Sequence, residues 1–200
     1  MNLRKWFNLF WQTLCIGGIA SLLTGLILTT GEYKPSSTAD FLLYLLILFG
    51  AGMMISVYSQ LGFFAYLILN YMGRGTFSIK TWNYIQLALT ILALLELMFF
   101  RIFMDNSKTG FTDMLLSFII LATALVTAYF KVKATNSNAL IPTLFFMIAL
   151  TIVETIGVLN IGENAATTFT VIPLLACNTY QILMLHRIVS RTDSKAKELT

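Results

Sequence analysis

Six long apolar stretches joined by short polar connections constrain this chain more than any other feature. They fall at about 7–30, 41–72, 82–104, 112–130, 139–159 and 167–189. A helix needs roughly 20 apolar residues to cross the hydrocarbon core of a bilayer, and each stretch is long enough. Lipid offers backbone N–H and C=O groups no partner, so such stretches fold as helices that satisfy their own hydrogen bonds. The composition agrees, with 58% hydrophobic and 11% charged residues. An average soluble domain has about a quarter charged residues. An ordinary soluble globule, a disordered chain and a nucleic-acid binder with a basic face are thereby excluded. The connections are also too short to hold a soluble catalytic domain. The predicted fold is all-α: a polytopic membrane protein, a six-helix transmembrane bundle forming a single domain over 1–200, with a basic tail at 190–200.

The net charge of +4 reads as an orientation code. Arg4, Lys5, Arg74, Lys80, Lys131, Lys133, Arg187, Arg191, Lys195 and Lys197 fall on one side of six alternating spans. Lys34, Arg101 and Lys108 fall on the other. Basic residues stay cytoplasmic, so both termini are expected in the cytoplasm. Trp6, Trp11, Tyr33, Tyr71 and Trp82 sit near the expected boundaries, where aromatic anchors gather. Arg4-Lys5 before an apolar run also resembles a secretory signal. The run continues to Thr30, longer than a signal requires, which favours an uncleaved anchor. The second stretch is long for one span. It tilts, projects past the lipid near Asn70 and Tyr71, or bends at Gly62.

Chemistry-bearing patterns are few. The two cysteines, Cys15 and Cys177, lie inside apolar runs and read as packing residues. His186 is the one histidine, too few for a histidine-rich metal site. No nucleophile, metal or phosphate-loop motif occurs, so neither an enzyme nor a cofactor is expected. Glu96 and Glu154 lie within spans, where ionisable residues are costly and face the bundle interior by default. Each is about 21–22 Å from the cytoplasmic start of its span. Arg101, five residues beyond Glu96, is placed to pair with either. The pair reads as an internal salt bridge or packed protonated glutamate, or as a proton or cation site.

Polar stripes run along several spans. Asn83, Gln86, Thr90, Ala93 and Glu96 recur at steps of three and four, which puts them on one drifting helix face. Gly52, Ser56, Ser59 and Gln60 form a comparable face on the second span, and Asn178, Thr179 and Gln181 follow Pro173 on the sixth. Gln60 and Gln86 reach similar depths, which suits an amide hydrogen bond between helices. Such stripes act as helix glue or line a cavity for a small polar ligand. Gly18, Ser21 and Gly25 on the first span allow close approach of another helix, from this chain or from a partner.

The run Ser56-Val57-Tyr58-Ser59-Gln60-Leu61-Gly62-Phe63-Phe64-Ala65-Tyr66-Leu67 resembles the KinB-signalling pathway activation family, the KbaA-like proteins of sporulating Bacillus-type bacteria. So do Ile16-Gly17-Gly18, Glu32-Tyr33 and Trp82-Asn83 with Gln86. Ser59, Gln60, Gly62, Phe63, Phe64 and Tyr66 mark the resemblance most specifically. Leu61 stands where Met is expected, a swap that conserves apolar volume. The resemblance implies an integral plasma-membrane protein that activates a membrane sensor histidine kinase feeding the sporulation phosphorelay. It carries over no catalytic residue.

The residues suit a non-enzymatic regulator, embedded in lipid, that works by helix–helix contact with that kinase. The alternative is a small transporter or channel in which Glu96, Glu154 and the polar stripe line a path. Oligomeric state is open at this level.

Overall fold

A computed structural model of the chain describes residues 3–29, 37–104, 110–159 and 164–197. Among the described residues all regular structure is helical. In chain order the elements are α1 (Leu3–Leu28), α2 (Thr38–Thr76), α3 (Ile79–Met104), α4 (Gly110–Ala134), α5 (Leu140–Phe145), α6 (Thr151–Leu159) and α7 (Asn164–Lys197). A 3₁₀ turn, Ser137–Ala139, leads into α5, and a π-helical turn, Phe146–Leu150, joins α5 to α6. The fifth predicted stretch is thus one rod with a π turn in its middle.

Among the described residues, five helical stretches are long and apolar enough to cross a membrane: Leu3–Leu28, Thr38–Thr76, Ser117–Ala134, Ser137–Thr155 and Thr167–Ile188. The remaining predicted span, 82–104, falls in α3, whose side chains from 97 onward lie outside the described residues. The helices outrun the apolar stretches at several ends. Hydropathy marks where a helix meets lipid, whereas a helix stops where its backbone is capped. Ser37 does this for α2, accepting the Asp40 N–H at 3.2 Å, and Ser78 for α3, accepting the Thr81 N–H at 3.2 Å. α2 runs unbroken through Gly62 for 39 residues, about 58 Å. Pro142 sits in the first turn of α5, where a missing N–H breaks no intrahelical bond.

The chain packs as two compact units, one of residues 1–60 with 169–200, the other of residues 61–168. In the first, α1 meets the first half of α2 through small residues. A Cβ added at Gly52 would strike the carbonyl oxygen of Gly17, and one at Gly17 would lie 2.7 Å from the carbonyl oxygen of Gly52. The space beside Gly18 is filled by the Phe49 ring and that beside Gly25 by Leu48. Ser21 Oγ donates to the Leu48 carbonyl at 2.9 Å. The small-residue face of the first span therefore packs on this chain's own α2.

In the second unit, the remainder of α2 returns as a hairpin with α3. Trp82 lies against Gly73, stacks on Phe77 with ring centroids 6.2 Å apart, and donates its Nε1–H to Asn70 Oδ1 at 3.0 Å. Trp82 is buried and fastens the hairpin. Tyr71, on the preceding helix, is exposed. Phe146 of the π turn packs on α2, edge-on to Phe63 at 5.6 Å and tilted on Tyr66 at 5.0 Å.

Candidate functional site

The first unit holds a buried polar cluster on α2 and α7. Serines 56 and 59 and Gln60 fall within little more than one turn of α2, and Asn178 and Gln181 are three apart on α7, so each set shares a face. Ser59 Oγ donates to Asn178 Oδ1 at 2.6 Å, with Gln181 Oε1 farther off at 3.5 Å. One hydroxyl proton serves one acceptor well, and the shorter contact takes it. Gln60 Nε2 reaches the Phe10 carbonyl at 3.3 Å and Ser56 Oγ at 3.4 Å. Cys177 Sγ reaches the Thr13 carbonyl at 3.7 Å, which confirms a packed thiol, and Tyr180 OH donates to Gln12 Oε1 at 2.6 Å. Two buried amide atoms, Gln60 Oε1 and Gln181 Nε2, have no hydrogen-bond partner among the described residues.

The second unit carries its own polar interior. Glu154 of α6 is 8% exposed and lies against Gly62 of α2, where an added Cβ would fall on its Oε1. A side chain at position 62 and this carboxyl position exclude one another. Gln86 of α3 is wholly buried, with neither amide atom bonded among the described residues. Thr90 Oγ1 donates to the Gln86 backbone carbonyl at 2.7 Å. Gln60 and Gln86 thus belong to different compact units.

Glu96 departs from the inward face expected of it. It is exposed, beside exposed Leu92 and Leu95, while Gln86 and Thr90 are buried. Helical geometry supplies the reason. Six residues beyond Thr90 is about 120° short of two full turns, so successive steps of three carry the stripe off the buried side. Arg101 lies in α3, but its side chain is outside the described residues.

Lys131 lies farther inside a helix than the apolar stretch ending at 130 suggests. It was expected in a cytoplasmic connection, yet α4 continues to Ala134 and Lys131 is 5% exposed. Ala124, Thr127 and Ala128 share its buried face at helical spacing, a pattern legible in the sequence once the helix is extended past Phe130. The approach of Glu154 to Gly62 and the π turn beneath Phe63 and Tyr66 left no such signal, since both depend on packing between distant segments. Among the family-marking residues, Ser59, Gln60, Phe63 and Tyr66 are buried, whereas Phe64 is exposed.

These residues fall within a match to known sequences. A sequence model of the KbaA family, described as KinB-signalling pathway activation in sporulation, matches residues 17–188. The chain is also similar to the KinB-signaling pathway activation protein of Bacillus subtilis (strain 168), 27% identical over 198 residues, which covers 96% of this chain and 100% of that protein. No solved structure matches.

Proposed function

The chain belongs to the KbaA family of KinB-signalling pathway activation in sporulation, and from that premise we propose that it activates a membrane sensor histidine kinase of this kind by helix–helix contact in the plasma membrane. The six spans lie across that membrane with both termini in the cytoplasm, and the kinase passes its signal to the phosphorelay. The observation that carries this reading is the family match over residues 17–188 in a chain built of long apolar helices. The polar groups of Ser59, Gln60, Asn178 and Gln181 act as glue that fixes the surfaces the partner meets.

The mechanism is a population shift. A regulator that binds the active arrangement of a kinase better than the inactive one moves the equilibrium by that difference in affinity. Taking the kinase from 1:99 to 99:1 requires about 5.5 kcal/mol of differential binding. Crosslinking in sporulating cells followed by purification of the kinase tests the contact. Recovery of the wild-type regulator with the kinase is the expected result, and no association under signalling conditions overturns the contact mechanism.

A further inference from the structure

Glu96 is an acidic side chain on an exposed face of α3, and with α3 read as a span, lipid tails offer it neither a donor nor a cation. Ala88, Leu89 and Leu92 are exposed with it, and their spacing makes one ridge about 12 Å long on a single helix face. Glu96 lies about 25 Å along α3 from Ile79, in the outer half of a span. A carboxyl at such depth normally turns inward or finds a partner. We propose that this ridge is a docking face for a transmembrane helix of the partner kinase, with Glu96 bonded to a basic side chain in the outer half of that helix.

Charge complementarity favours this occupant. A cation at matching depth removes the exposed carboxylate from hydrocarbon and gains from the low dielectric there. A second copy of the chain, docked by a two-fold axis through this ridge, would set Glu96 against Glu96, two acids with no basic group between them. The apolar residues supply packing area, and the ion pair fixes register and choice of partner. The proposal rests on the reading of the protein as a kinase regulator acting by contact.

The test co-purifies the kinase with full-length Glu96→Leu, Glu96→Gln and Glu96→Lys variants from sporulating cells, with wild type alongside and membrane abundance measured for each. Because Glu96 is exposed, normal abundance is expected. Recovered kinase should fall by about three- to fifteenfold for Glu96→Leu, further for Glu96→Lys and least for Glu96→Gln. An acidic residue placed at the partner's basic position should restore binding to Glu96→Lys. Undiminished recovery with Glu96→Leu overturns this docking face while leaving the regulator reading intact. Absence of kinase from the wild-type preparation overturns both. Loss of the variants from the membrane gives Glu96 a role in the chain's own folding and overturns the proposal. Recovery of a second tagged copy that depends on Glu96, with kinase recovery unchanged, assigns the ridge to self-association instead.

Discussion

Gly62 and Glu154 show how one missing side chain sets the place of another. Glycine in a helix interior gives up about 1 kcal/mol relative to alanine, yet a methyl group at position 62 would occupy the site of the Glu154 carboxyl. Gly62→Ala is therefore expected to destabilise the protein by about 1–2 kcal/mol. In a Glu154→Ala background the obstacle is gone, and the same substitution should stabilise by up to about 1 kcal/mol. Unfolding in detergent micelles across the four combinations checks this change of sign, and equal effects in both backgrounds would refute the coupling. Gly52 differs, because an added Cβ would meet the carbonyl oxygen of Gly17, which cannot swing aside as a carboxyl can. At this scale the sequence was informative about kind and weak about direction. It singled out Glu96, Glu154, Gln60 and Gln86 by chemistry. Which of them turn inward depends on rotation about a helix axis. A one-residue change of step moves a side chain by about 100°, which is how Glu96 left the stripe that Gln86 and Thr90 keep.

At the scale of elements, the hairpin of α2 and α3 depends on a short turn and one tryptophan. Trp82 closes over Gly73 and bonds Asn70 on the preceding helix. Trp82→Phe keeps a ring against Phe77 but leaves Asn70 Oδ1 without that donor, a loss of about 0.5–1.5 kcal/mol. Faster cleavage between Phe77 and Ile79 in limited proteolysis is the expected outcome, and an unchanged rate would show that the bond does not hold the turn. The helices were readable because apolar length is a local signal. Their ends were less so: Lys131 ends an apolar run in sequence, yet the backbone of α4 stays helical past it. The π turn at Phe146–Leu150 could not be read at all, since it is one extra residue in a continuous apolar rod.

For the whole molecule, the distribution of basic residues carries the clearest expectation. Tags fused to either end should be digested by protease added to inside-out vesicles and protected in intact protoplasts. Protection of both in inside-out vesicles would reverse the orientation. Apolar stretches long enough to span lipid are fixed by sequence alone, because the bilayer asks only for about 20 apolar residues and a self-satisfied backbone. All-α architecture follows from the same requirement. Family membership follows from sequence as well, through the match over residues 17–188. Tertiary structure decided which polar groups those helices hide. It joined Ser59 to Asn178 across 119 positions, set Glu154 against Gly62, buried Trp82 and Lys131, and left Glu96 on an outer face. The physical reason is that hydropathy and spacing act along one helix, whereas burial and hydrogen bonding are fixed by which helix lies opposite, and that choice is made between segments far apart in the chain.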